Sequence, residues 1–301
     1  MFPSRIASLG GGAGLQNNYS LEFDGTNDYV SVADSADLSF GDGSNDSAFS
    51  ISAWVNPDQA TNFQIAFKDT EYQFYLNSSE HLTLFLEDES SGNYEFAYYN
   101  SAISENTWSH VACTYNGVGG TSANAGITLY VDGINVTTTL AGSGTYVAME
   151  NSSNALTIGK AGSNYADGNI DEVSIWNKVL SAGDISTLYQ AKGTSDLNDD
   201  GNSANLQGWW RMGDGVLDDF NLIADQVNPT LGSDALGGKG DFSDAGYWTT
   251  GSGSTVDTAN NELDVVSETT TNFLSKTGIL TSGKIYKFTY TVSGYLSLIH
   301  I

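Results

Sequence analysis

The oxygen-rich turns are the residues of this chain whose types and spacing best suit chemistry. Phe23–Asp28 (FDGTND) and Phe40–Asp46 (FGDGSND) place carboxylates beside turn carbonyls, and Ca2+ takes about six to eight oxygens of that kind. A second reading of the same residues is open: Asp24 and Asp28 build a turn and use their carboxylates on backbone N–H groups. Asp196–Asn202 (DLNDDGN) matches the first six positions of an EF-type calcium loop, but its twelfth position is Gln207 and no helix-forming stretch follows. It therefore reads as a polar linker. Tyr72, Tyr75, Tyr94, Tyr98 and Tyr99 form a dense local supply of rings, and a ligand presenting C–H faces stacks on such rings. His81 and His110 sit in strand-like stretches with no G-x-S-x-G neighbour, and no phosphate-cradling G-x-x-x-x-G-K-[ST] loop is present. Cys113, the single cysteine, lies in the strand-like VACTY and reads as a buried structural thiol.

The elements that carry these residues repeat with a period of two. In Tyr72–Leu76 (YQFYL), His81–Leu86 (HLTLFL) and Tyr94–Tyr99 (YEFAYY), apolar groups recur at every second position, which sets them on one face of a half-buried antiparallel strand. Tyr94, Phe96 and Tyr98 share a face and Tyr99 takes the other, so part of the tyrosine set belongs to the core. Turn clusters separate the strands and the chain has only three prolines, a pattern of all-β sandwiches. One short helix is expected: Ser181 can cap SAGDISTLYQ, with Ile185, Leu188 and Tyr189 on a common face.

Charge narrows the partners. Thirty-six acidic residues against ten basic ones give a formal charge of -26 over 301 residues, which repels phosphate backbones and anionic bilayers. Nucleic acid is not expected as a partner. Aromatic residues make up 12% of the chain and hydrophobic ones 40%, enough for a core and against disorder. The opening MFPSRIASLGGGAGLQNN has no continuous apolar run and no segment reaches about 18 apolar residues, so neither a secretion signal nor membrane insertion is expected. Asn-x-Ser/Thr sequons begin at Asn18, Asn45, Asn77, Asn135 and Asn151 and are taken as polar loops.

Ser20–Val32 (SLEFDGTNDYVSV), Phe49–Pro57 (FSISAWVNP), Trp108–Gly117 (WSHVACTYNG), Ile127–Gly133 (ITLYVDG) and Asn169–Tyr189 (NIDEVSIWNKVLSAGDISTLY) follow in that order. The set resembles the laminin-G-like, concanavalin A-like lectin/glucanase jelly rolls. The resemblance implies an antiparallel β-sandwich whose first and last strands meet, with a structural calcium held by Asp171, by Asp24, and by further oxygens from the Asp42 loop. Hydrolases of that superfamily carry E-x-D-x-E, or one residue more, on a strand; the nearest phrase here is Glu262–Glu268 (ELDVVSE), whose spacing is one or two residues too long. The boundaries expected are a Gly-rich leader over 1–17, the sandwich over 18–192, and a linker over 193–240. Within that linker Trp209, Trp210 and Met212 need burial, so Leu206–Val216 is expected to fold back on the sandwich edge. Residues 241–295 resemble the first strands of a galactose-binding-like, carbohydrate-binding jelly roll, incomplete as given. Leu296–Ile301 (LSLIHI) is what CTG TCT CTT ATA CAC ATC encodes and resembles a library adaptor, so the natural chain is expected to continue past Tyr295. The resemblance implies a non-catalytic binding or adhesion module that recognises a glycan or cell surface. The alternatives are a tail or fibre component of a virus particle, as a homo-oligomer, and thirdly a glycoside hydrolase. Location is expected to be extracellular or on a virion.

Overall fold

The computed structural model describes residues 15–215, residue 218, residues 223–227, and four short strands between 249 and 275. It divides into two units, residues 1–228 and 229–301.

In the first unit two antiparallel sheets of seven strands face each other. One sheet runs, edge to edge, Leu21–Asp24, Asp167–Trp176, Phe49–Gln59, Ser109–Tyr115, Ile127–Val131 and Ile134–Asn135. The other runs Thr138–Ser143, Asn93–Ala102, His81–Asp88, Tyr72–Leu76, Gln64–Lys68, Leu156–Ile158 and Val30–Val32. Between them lies the main core, with Phe23, Phe49, Ile51, Val55, Phe74, Leu84, Cys113 and Ile170 among its buried members. Each apolar side chain of this size contributes roughly 1.5–3 kcal/mol by leaving water.

The two sheets differ in what covers their outer faces. The second sheet alternates buried and partly exposed residues along Tyr72–Leu76 and His81–Asp88, as a half-solvated antiparallel sheet must. The first sheet is buried on both faces over much of its area, so every residue of Ser109–Tyr115 is buried. Its outer cover is a smaller cluster of Ala112, Tyr130, Trp176, Leu180, Ile185, Leu197, Leu206 and Trp209. Ile185 belongs to the helix Ala182–Ala191, which begins in a capping box: the Ser181 hydroxyl accepts from Asp184 N–H, and the Asp184 carboxylate accepts from Ser181 N–H.

The strand Leu206–Trp210 pairs antiparallel with Val173–Trp176, while Leu21–Asp24 pairs with Asp167–Ile170. The beginning and the end of this unit thus share one edge of the same long strand. Gly208 is required there, because a Cβ on it would stand 2.2 Å from the Trp210 ring.

The second unit contributes two antiparallel strand pairs among the described residues: Thr249–Thr250 with Leu274–Ser275, and Ser254–Asp257 with Glu262–Val265. The leader over 1–14, most of the expected carbohydrate-binding-like jelly roll and the LSLIHI end lie outside the described residues. No helix of the described residues is long and apolar enough to cross a membrane.

Candidate functional site

Alternation in the second sheet turns one set of aromatic residues outward. Cross-strand register aligns Phe67, Gln73, Phe85 and Phe96 in one transverse row. It aligns Gln64, Tyr75, Thr83 and Tyr98 in the next. Tyr94 and His81 extend the surface at either end. Ring centroids follow one another at 4.9 Å (Tyr94–Phe85), 6.0 Å (Phe85–Phe96), 6.2 Å (Phe96–Tyr98) and 5.6 Å (Tyr98–His81). Amides border the rings: Gln73 Nε2 donates to Gln64 Oε1 at 2.6 Å, and Asn77 Nδ2 donates to the Thr83 hydroxyl at 3.1 Å.

The predicted tyrosines divide between the two faces. Tyr75, Tyr94 and Tyr98 lie on the outward surface, partly exposed. Tyr72 does not: it is 1% exposed, and its hydroxyl donates to Leu38 O inside the core. Tyr99 packs against the main core from its rim. Both are corrected to structural roles, because strand parity sends them inward. Phe67, Phe85 and Phe96 were missed as partners of the tyrosines; their phase in QIAFK, HLTLFL and YEFAYY was the available signal.

The predicted calcium residues stand apart. Asp24 Oδ1 accepts from Thr26 N–H at 2.8 Å and from Asn27 N–H at 3.3 Å. Asp42 Oδ1 accepts in the same way from Ser44 and Asn45 at 2.9 and 2.6 Å. Asp24 pairs with Asp167, four residues along the strand from Asp171, roughly 13 Å at the usual rise per residue. Among the described residues no three His, Cys, Asp or Glu side chains gather as metal ligands. Asp24 and Asp171 therefore do not share one ion through their carboxylates. In the EF-like stretch, Asp196 and Asp200 likewise accept from the N–H groups of Asn198 and Asn202.

Asp171 belongs to a different structure, a cleft on the outer face of the first sheet that sequence reading missed. Beneath the cleft runs a single row across three strands and the turn that follows Ile127–Val131. Asp171 stands opposite Trp54 and Trp54 opposite His110; His110 exchanges hydrogen bonds with Asp132, receiving one from Asp132 N–H and donating its own N–H to the Asp132 carboxylate. The helix Ala182–Ala191 ends at this row. Its last turn supplies Tyr189, stacked on Trp54 at 5.7 Å, and Lys192. Asn17–Ser20 and Trp108 complete the walls of a cavity of about 550 Å3.

Electrostatics beneath the cleft are unusual. Burial, then the neighbouring Glu172, pushes Asp171 up to about 8. Burial also pushes Glu172 up to about 7, opposed by Arg211, whose Nε donates to Glu172 Oε1 at 2.8 Å. The Trp209 indole donates to the other oxygen at 2.6 Å. His110, 1% exposed, is held down to about 4 by burial, and its Nε2 lies 2.8 Å from the Ser52 hydroxyl.

A family model described as the concanavalin A-like lectin/glucanases superfamily matches residues 24–186, over half of the chain. Several solved structures are similar. One is a Bacteroides ovatus protein provisionally described as carbohydrate binding: 18% identity, TM-score 0.44, 67% of this chain and 54% of that one covered. A second is a Ruminococcus gnavus sialidase carbohydrate-binding module bound to α2,3-sialyllactose: 9% identity, TM-score 0.40, covering 57% and 98%. A third is domain 4 of AbnA, an extracellular arabinanase of Geobacillus stearothermophilus, in complex with arabinotriose: 18% identity, TM-score 0.36, covering 56% and 87%. The chain spans about half the length of the Bacteroides ovatus protein. No curated protein sequence matches it.

Proposed function

The chain belongs to the concanavalin A-like lectin/glucanases superfamily, and on that premise we propose that it is a non-catalytic, extracellular module that binds glycans on the outer face of its second sheet. The observation that carries this reading is the unbroken run of rings Tyr94, Phe85, Phe96, Tyr98 and His81 on a partly exposed sheet face. Such a run offers successive stacking platforms for sugar C–H faces, while the partly exposed Gln73 amide offers hydrogen bonds to hydroxyls.

Between the lectin and the glucanase half of the family description, the rows favour the lectin. Glycoside hydrolysis needs two carboxylates flanking the scissile bond. The row Phe67, Gln73, Phe85, Phe96 and the row Gln64, Tyr75, Thr83, Tyr98 contain none; Glu87, opposite Tyr94 at one end of the run, is a carboxylate of the adjoining row.

A glycan array probed with the full chain and with Tyr98→Ala tests the proposal. The parent is expected to bind a definable set of glycans, and the variant to bind them at least about tenfold more weakly, as removal of a central aromatic anchor does. Equal binding by parent and variant, or turnover of any bound glycan, sinks it. A particle-borne role is tested separately by oligomeric state, a trimer in solution being the outcome that favours it.

A further inference from the structure

We propose that the cleft over the Asp171, Trp54, His110 and Asp132 row is a second binding site of this module, one that takes an uncharged saccharide. The ligand class rests on the glycan reading above; the location does not, because the cleft lies on the opposite sheet.

Four observations converge on it. The cavity, about 550 Å3, falls within the roughly 300–1,000 Å3 of ligand pockets. It is lined by Asn17–Ser20, by the helix end at Tyr189 and Lys192, and by Trp108. Trp108 lines it and is 41% exposed, so its indole is accessible to a sugar ring. The Asn17 amide oxygen is buried there without a hydrogen-bond partner among the described residues, which a hydroxyl donor would satisfy.

The backbone below the floor is strained. The register between Asp167–Trp176 and Phe49–Gln59 slips between Asp171 and Ser174, and Glu172 within that bulge has φ of 49°. A bulge re-aims the side chain beside it, and strain of this kind costs about 1–3 kcal/mol and gathers at functional positions. Here the slip holds Asp171 in the row with Trp54 while Glu172 turns to Arg211.

The polar groups select the ligand. Trp54, Trp108 and Tyr189 present ring faces; Asn17, Asp132 and Asp171 accept, and Asn18 and Lys192 donate. Asp214, which accepts from Asn18 and Tyr19 N–H at 2.8 and 2.7 Å, adds a carboxylate behind the wall. Asp132 and Asp214 outnumber Lys192 and disfavour a uronic or sialic acid, and a neutral pyranose meets no such opposition.

The test titrates the full chain with methyl glycosides of glucose, galactose, mannose, xylose and arabinose, and with glucuronate. Indole N–H resonances of Trp54 and Trp108 report the cleft; ring resonances of Phe96 and Tyr98 report the sheet face. The expected result is a saturable shift of both indoles with at least one neutral glycoside, weakened about tenfold or more in Trp108→Ala and unchanged in Tyr98→Ala. Indoles that stay fixed while Phe96 and Tyr98 move overturn the cleft and leave the sheet face standing. Moving indoles with a silent sheet face uphold the cleft against the first reading, and silence in both overturns the two together. Glucuronate shifting the indoles as strongly as the neutral sugars overturns the proposed selectivity.

Discussion

Asp171 and Glu172 are consecutive buried carboxylates, and the protein gives its cation to only one of them. Arg211 and the Trp209 indole both donate to Glu172, so Asp171 is the member that keeps its proton near neutrality. Asp171 is raised from 3.8 to about 8, and Glu172 from 4.5 to about 7. The folded state therefore holds protons that the unfolded chain has already released, and stability falls as pH rises from about 4 to about 8. His110 acts in the opposite sense, lowered from 6.5 to about 4, so its contribution is lost as pH falls through that interval. Below pH 6.5 the two effects oppose; between 6.5 and 8 the acids act without it. Urea denaturation across that upper window is expected to show stability declining by up to about 1.4 kcal/mol per pH unit per group, and Asp171→Asn is expected to flatten the decline. An unchanged slope in the variant would place the proton elsewhere. Arg211 also donates to Gln16 O, Gly193 O and Asp214 O at 2.8, 3.0 and 3.1 Å. Arg211→Ala strands a buried carboxylate and is expected to cost about 3–5 kcal/mol in the same assay. Asp24 and Asp42 each use Oδ1 on their own turns. Melts in millimolar calcium and in chelator test for a structural ion: occupancy of a native site at 100 times its Kd would add about 2.7 kcal/mol, and coincident melts would leave these turns held by their hydrogen bonds alone.

At the level of elements, the helix Ala182–Ala191 matters because its last turn brings Tyr189 and Lys192 to the cleft. Ser181→Ala removes half of its capping box and is expected to lower stability by about 1 kcal/mol in chemical denaturation; no loss would mean that packing on Ile185 alone sets the helix start. This helix was legible, since a Ser cap and an apolar Ile185, Leu188, Tyr189 face are local signals. So were the strands of the second sheet, whose solvated outer face preserves alternation in YQFYL and HLTLFL. Alternation fails for the first sheet, where Ser109–Tyr115 is buried on both sides and its polar members, Ser109, His110 and Thr114, are inside as well. Site prediction failed where parity had to be combined with register. Local sequence placed Tyr94 and Tyr98 together but could not say that Tyr72 faces Leu38. The row of Asp171, Trp54, His110 and Asp132 draws on three strands, a turn and a bulge, and no short stretch of sequence contains that information.

For the molecule as a whole, the return of Leu206–Trp210 to the sandwich decides where the folding unit ends. This strand caps the half of Asp167–Trp176 that Leu21–Asp24 leaves unpaired, and it buries Leu206, Trp209, Trp210 and Met212. At roughly 1.5–3 kcal/mol for each side chain, their burial contributes about 6–12 kcal/mol, comparable to the ~5–15 kcal/mol by which a domain is stable at all. Without the strand, Trp176 loses its cover, the Val173–Trp176 edge is open to pair with another chain, and Glu172 loses both Trp209 and Arg211. A chain ending at Lys192, the limit of the sandwich as its sequence phrases suggest, is therefore expected to aggregate or to lack a cooperative transition. A chain ending at Asn228, where the first unit closes, is expected to melt cooperatively. Calorimetry of the two side by side checks this. Coincident transitions would mean that the strand adds nothing to the sheet it extends, and that the sandwich is complete at residue 192.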